Sequence, residues 1–342
     1  MEQASTAQSK RQEERSSRFW SVVLSFQSYF GLIAILLLST LLSPIRDGRN
    51  IFLDPNNLLN IVRFASENGI IAIGMTLVIL IGGIDLSVGA VMALCAVGAA
   101  SFMMRDGLGT VPTILLVLSI GALAGMINGL VTTRFNIQSF IVTLAMLSIA
   151  RGVASLWSGG YAIPLAFGDG SDLAPASFKA LFAGSVSLGG INIPVQIFYF
   201  LAVGLIATVL LRRTAFGRHV YAVGGNETAA RLSGVNVNRV KTVVFTVSGL
   251  LAGLAALLHA ALVNQGSHID GSGYELNAIA AVVIGGTSLA GGVGTVVGSM
   301  VGAVILSILD NILGLRNIAS EYQMILKGML IVGAVLVQRQ KR

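Results

Sequence analysis

Ile81-Gly82-Gly83-Ile84-Asp85-Leu86-Ser87-Val88-Gly89 interrupts an apolar run that otherwise extends from about Asn57 to Met104. A helix that crosses a bilayer takes about 20 apolar residues, so the run is too long for one crossing. The glycine pair with Asp85 is its natural break, and the run divides into two spans. The pattern returns as Ile284-Gly285-Gly286-x-x-Leu289-x-x-Gly292, at an offset of 203 residues. Six spans separate the copies, so both have the same orientation, as in parallel repeats related by an axis along the membrane normal.

Working outward, Phe19 to Leu42 reads as a retained first span, too long for a signal-peptide core. Pro112 to Thr133, Gln138 to Ser158 and Pro194 to Leu211 give spans four to six, with a Gly/Pro-containing loop over 159–193. Thr242 to Gln265, Glu275 to Gly286, about Gly291 to Leu313, and Tyr322 to Gln338 give spans seven to ten. The eighth is too short to cross alone unless Glu275 and Asn277 lie inside the bilayer or the segment is re-entrant. Composition agrees: of 342 residues only 11% are charged and mean hydropathy is +0.83, against about 25% charged in soluble chains. No sizeable soluble domain fits between the spans. The expected fold is an all-α integral membrane protein of about ten transmembrane helices. Its transmembrane domain covers 19–338, between a polar N-terminal tail (1–18) and a short C-terminal tail (339–342).

Ten spans put both termini on one side, and the basic residues say which. Segments assigned inside carry 14 Lys and Arg and those outside carry five, the bias expected of cytoplasmic termini. The formal charge of +7 therefore reports topology. The basic residues form no stripe with interleaved aromatics, so nucleic acid is not an expected partner.

Enzyme and metal chemistry find little support. Cys95 is the one cysteine, which leaves neither a disulfide framework nor a thiolate cluster. His219, His259 and His268 lack metal-ligand spacing. G-x-x-x-x-G-K-[ST], H-E-x-x-H and G-x-S-x-G are absent, so the chain has no P-loop of its own. No cofactor or catalytic residue is expected.

The most basic stretch, 212–241, reads RRTAFGRHVYAVGGNETAARLSGVNVNRVK. Its middle predicts a short helix: Asn226 as N-cap, Glu227 at the positive helix start, Ala229 and Ala230 as strong formers, and Gly234 as the stop. Arg231 lies four residues after Glu227, the favourable order for an ion pair. Such a helix, exposing Leu232 and Val235, suits docking of a cytoplasmic partner.

That stretch, with GIDLSVGA (83–90) and YELNAIAAVVIGGTSLAGG (274–292), resembles the ribose-type permeases of ATP-binding-cassette (ABC) sugar importers, alongside those for arabinose, galactose and xylose. The likeness runs from about Phe30 onward. It implies a homodimeric permease in a bacterial inner membrane, surrounded by lipid, that gives a monosaccharide a path by alternating access. A periplasmic binding protein would deliver the sugar and a separate cytoplasmic ATPase would supply the energy. The coupling helix would be Asn226 to Gly234. The common importer loop has Glu-Ala-Ala, three residues, then Gly. Ala229-Ala230 and Gly234 keep that spacing, whereas Glu227 is displaced by one and no Ile-x-Leu-Pro follows.

Polar residues within the spans are the remaining candidates, because ionisable groups are expensive in hydrocarbon. Asp85, Asn128, Arg151, Asn264 and Gln265 are candidates for the translocation path. Asp85 also suits a helix N-cap, and Arg151 suits a structural anchor. Arg63 and Glu67, one turn apart, are expected to pair, as is Lys327 with Asp310 or Glu321. Glycines spaced by four (Gly121, Gly125, Gly129; Gly294, Gly298, Gly302; Gly249, Gly253) predict close helix packing, within one subunit or at a subunit seam. The competing reading is a gradient-driven transporter that uses Asp85, Asp310 or Glu67.

Overall fold

The computed structural model describes residues 27–168, 170 and 173–339. The N-terminal tail, the start of the first span and the last three residues lie outside them. The described chain is mostly helical. Six helices are long and apolar enough to cross a membrane: α2 (Pro55–Leu80), α4 (Thr110–Arg134), α5 (Ser139–Ser158), α7 (Val195–Arg213), α10 (Val237–Val263) and α12 (Val296–Leu315). Shorter apolar helices are α1 (Gln27–Leu42), α3 (Val88–Met104) and α11 (Tyr274–Ile284), and α13 (Ser320–Arg339) closes the chain. Two further helices, α8 (Ala215–Gly225) and α9 (Glu227–Leu232), fill the basic stretch.

The break between α2 and α3 falls at the quoted motif. Gly82 has φ of +75°, a left-handed conformation that glycine adopts without strain, and Gly83 N–H closes the helix on Val78 O at 2.9 Å. Residues 84–87 then run without helical partners, which costs several kcal/mol per unsatisfied group in hydrocarbon. Two hydroxyls of α5 remove part of that cost. Ile84 N–H donates to Ser139 Oγ and Leu86 N–H to Thr143 Oγ1, each at 3.1 Å.

α3 is apolar and buried on all sides, at the centre of a core shared with the second half of α2 and with α10. The outer helices present side chains such as Leu41, Leu115 and Leu205 outward, all more than half exposed. That arrangement suits lipid and not water. The glycine stripes are used between helices of this chain. Methyl groups added at Gly121, Gly125 or Gly249 would collide with backbone across the α4–α10 contact, and at Gly298 or Gly302 across the α11–α12 contact. Gly125→Val is expected to destabilise the bundle by at least about 1–3 kcal/mol, the usual range for overpacking. The check is the melting temperature in detergent, and a value equal to the parent's would overturn it.

Three expectations need correction. Helix α12 begins at Val296 instead of about Gly291, because Gly291 (φ +88°), Gly292 (+74°) and Gly294 (+153°) keep the second break open until Thr295 caps Gly298 N–H at 3.0 Å. Helix α10 begins at Val237, ahead of Thr242, on an N-cap from Asn236 to Arg239 N–H at 3.0 Å. The segment 159–193 is more than a loop. It holds α6 (Ala176–Ala183) and the hairpin β6–β7 (Ser185–Leu188 with Ile191–Pro194). The hairpin β1–β2 (Ile45–Arg46 with Arg49–Asn50) follows α1, and β3 (Ile163–Pro164), β4 (Phe167–Gly168) and β5 (Ala174–Pro175) precede α6, with β4 and β5 paired in parallel. Phe178 packs between Phe167 and Phe182, and β3 pairs with β8 (Gln265–Gly266).

Candidate functional site

Both motif copies converge on one junction, at the end of the bundle where α2, α4 and α7 finish. Gly292 N–H donates to Leu80 O at 2.9 Å, which joins the second break to the end of α2. The end of α8 packs into the same place. A methyl on Gly224 would overlap Leu80 O and lie 2.6 Å from Gly292 N, while one on Gly291 would lie 2.9 Å from Gly82 N. Tyr221 Oη adds a hydrogen bond to Gly294 O at 2.8 Å. Helix α8 is amphipathic, with Gly217, Val220 and Val223 buried and Arg218 and His219 exposed. Sequence reading missed this helix, although that three-residue apolar spacing was its signal.

Helix α9 forms as expected. Asn226 Oδ1 accepts from Ala229 N–H at 2.9 Å. At the other end Gly234 (φ +85°) donates to Arg231 O and Val235 to Ala230 O, both at 3.1 Å, the paired closure of a Schellman motif. Glu227 Oε1 meets Arg231 Nη2 at 3.1 Å, and Glu227 Oε2 meets Lys241 Nζ at 2.7 Å. The hydrogen bond from Lys241, helped by Arg231, holds the Glu227 carboxyl below the ordinary carboxylate range against partial desolvation. Leu232 is 84% exposed, as expected of a docking knob. Val235 is not, because it packs on the core. Lys241 sits fourteen residues from Glu227, beyond any local sequence signal. It also lines a cavity of about 580 Å³ with Gly82, Gly83, Asn136, Gln138 and Ser139.

Asp85 and Asn128 meet within the core through Ser87. Asp85 Oδ1 accepts from Ser87 Oγ at 2.6 Å and from its N–H at 2.9 Å, Oδ2 accepts from Ser248 at 3.2 Å, and Asn128 Nδ2 donates to Ser87 Oγ at 2.9 Å. Arg151 donates to the carbonyls of His268 and Asp270 and so pins the segment leading into α11. Asn264 takes a left-handed φ of +55° and lines a recess of about 640 Å³ with Lys179 and Phe167. Gln265 sits beside it, paired through its backbone with Pro164.

Glu67 does not pair with Arg63. It lies on the buried face of α2 and meets His259 Nδ1 of α10 at 2.9 Å, while His259 Nε2 lies 3.7 Å from Asp270 Oδ1. The Arg63 guanidinium instead rests 5.1 Å from the Phe64 ring centroid. Lys327 does pair with Asp310, at 2.8 Å. His259→Leu is expected to destabilise the protein by about 3–5 kcal/mol, because two buried carboxylates lose the group between them. Unchanged thermal melting would refute this.

Long apolar helices, lipid-facing flanks and a glycine-built junction at two helix breaks define a multi-pass membrane protein. The family model for the permease component of the branched-chain amino acid transport system matches residues 57–335, and the chain belongs to that family. Similar proteins include the ribose import permease protein RbsC of Haemophilus influenzae, 43% identical over 91% of each chain. RbsC of Bacillus subtilis is 40% identical over 96% of this chain and 97% of its own. The xylose transport system permease protein XylH of Haemophilus influenzae is 34% identical over 93% and 98%. No solved structure matches the chain significantly. The chain is thus an ABC-importer permease of the bacterial inner membrane and not an enzyme, with ATP hydrolysis in a separate subunit. Membership of this family also sets aside the gradient-driven reading.

Proposed function

We propose that this chain forms the translocation path for a monosaccharide, ribose or a related sugar, delivered by a periplasmic binding protein and driven by a cytoplasmic ATPase. The curated relatives are named for ribose and xylose import, and fructose appears in the name of a further relative, FruG of Bifidobacterium longum, at 36% identity. Two copies form the permease in lipid, each with about ten crossings, cytoplasmic termini and two parallel-related repeats. The segment 264–273 with α11 makes the eighth crossing. Asp85, Asn128, Arg151, Asn264 and Gln265 belong to the path or to its frame, with Asp85 and Asn128 in the frame and Asn264 at the outer mouth.

The observation that carries the reading is the link from α9 to the helix breaks. Asn226, Glu227, Ala229, Ala230, Arg231, Leu232 and Gly234 build a capped helix with an exposed leucine. Adjacent α8 is seated by Gly224 against Leu80 and Gly292. A push on α9 from an ATPase therefore reaches both breaks through rigid backbone contact. The test is mild solubilisation of native membranes followed by mass spectrometry of the tagged chain. A stoichiometric P-loop ATPase is expected, and recovery of the chain alone, where a known importer stays assembled, would overturn the coupling role.

A further inference from the structure

Between α2, α11, α12 and α13 lies a cavity of about 380 Å³ that is polar where the surrounding helices are apolar, lined by Asn68, Asn277, Ser307, Asp310, Asn311 and Lys327. Its size lies within the roughly 300–1,000 Å³ of small-molecule sites. Part of the lining is internally satisfied. Asn311 and Asn57 exchange amide hydrogen bonds at 2.8 and 3.1 Å, and Lys327 meets Asp310 Oδ2 at 2.8 Å. Two atoms are not: Asn68 Oδ1 and Asp310 Oδ1 are buried with no hydrogen-bond partner among the described residues. A buried acceptor left unpaired costs about 1–3 kcal/mol, so the chamber is complementary to a ligand that donates hydrogen bonds. The Lys327–Asp310 pair cancels its own charge, which favours a neutral ligand over an ion. Ile61, Phe64 and Tyr274 complete the wall, and aromatic side chains suit the C–H face of a sugar.

We propose that this chamber is a holding site for the transported monosaccharide within each protomer, engaged by donation of sugar hydroxyls to Asn68 Oδ1 and Asp310 Oδ1. The assignment rests on the sugar-import reading above. It places the polar contacts of the sugar on α2, α11 and α12, away from the Asp85–Ser87–Asn128 network. A hydroxyl-rich lipid headgroup shares this chemistry and is separated from sugar by the test.

Cys95, the one native cysteine, is buried, so Asn277→Cys supplies a unique reporter. The variant permease is reconstituted with its ATPase and binding protein, and its modification by a small thiol reagent is followed with and without ribose, xylose or fructose. A transported sugar is expected to slow modification several-fold while a non-transported sugar alcohol does not. Absence of modification, or a rate indifferent to sugar, leaves a closed, water-filled or lipid-filled chamber and overturns the proposal. In parallel, Asn277→Leu, whose side chain has no bonded partner to lose among the described residues, is expected to lower uptake about tenfold, the equivalent of 1.4 kcal/mol. ATPase stimulation by the loaded binding protein is expected to persist. Parental uptake in that variant would equally refute the site. Failure of the parent complex to import any of these sugars would instead count against the import reading itself.

Discussion

Gly224→Ala is expected to lower import by at least about tenfold. The added methyl has no room, because it would overlap the carbonyl oxygen of Leu80 and lie 2.6 Å from the nitrogen of Gly292. Both neighbours are backbone, so no side chain can rotate away. Helix α8 would have to lift off the ends of α2 and the second break, and the hydrogen bond from Gly292 N–H to Leu80 O would open with it. Overpacking of this kind costs about 1–3 kcal/mol or more, and a tenfold loss corresponds to 1.4 kcal/mol. Transport is therefore expected to fall by at least about tenfold in proteoliposomes that hold the ATPase and binding protein. Tyr221→Phe supplies the matched control, since it deletes the hydrogen bond to Gly294 O without adding volume. Its expected effect is about 1 kcal/mol, the net worth of one hydrogen bond. Parental uptake by Gly224→Ala would show that the junction is not part of the drive train.

The second large effect is expected of Glu227→Lys. Glu227 accepts from Arg231 and Lys241 at once, so a lysine there brings three cations together at the start of a six-residue helix, where the dipole also disfavours positive charge. Helix α9 should lose its fixed position, and import should fall with membrane insertion unchanged. Arg231→Glu is expected to be milder, because Arg231 is 58% exposed whereas Lys241 is 21% exposed, and exposed pairs contribute little. Charge exchange in Glu227→Lys with Lys241→Glu is expected to recover part of the uptake. No recovery, or normal uptake by Glu227→Lys alone, would sink the assignment. The pH dependence follows from the same contacts. The folded carboxyl titrates below its ordinary value near 4.5, so its contribution is complete above that value and disappears as pH falls through the lower, folded one. Between pH 5 and 8 the α9 contacts are therefore expected to give a flat profile of ATPase co-purification.

Much of this protein was legible in its sequence because membrane insertion is a local problem. Every span must satisfy its own backbone and be apolar for about 20 residues, so the approximate place of each apolar span follows from composition. Helix α9 was legible for a related reason. Asn226 caps Ala229, Glu227 meets Arg231 and Gly234 closes on Arg231, each across about one turn, where spacing is geometry.

Side-chain partners across the bundle were not legible. The sequence offered Arg63 as the partner of Glu67, four residues away, yet the tertiary fold supplies His259, 192 residues distant. Lys241 reaches Glu227 because α10 starts at Val237, ahead of the expected Thr242, and turns that side chain toward α9. Asp85 and Asn128 looked like path residues, since a polar group in an apolar run is conspicuous. The fold turns them toward each other across Ser87, a contact that depends on how α3, α4 and α10 pack.

The class of protein, the apolar segments, the two glycine breaks and the cap-to-stop chemistry of α9 were readable along the chain, because each depends on residues within a few positions. It took the packed bundle to bring the two breaks together at Gly224, to turn Glu67 to His259, and to open a polar chamber beside Asn277. Those facts depend on which helix faces meet, and helix packing is set by close fit between surfaces distant in the chain.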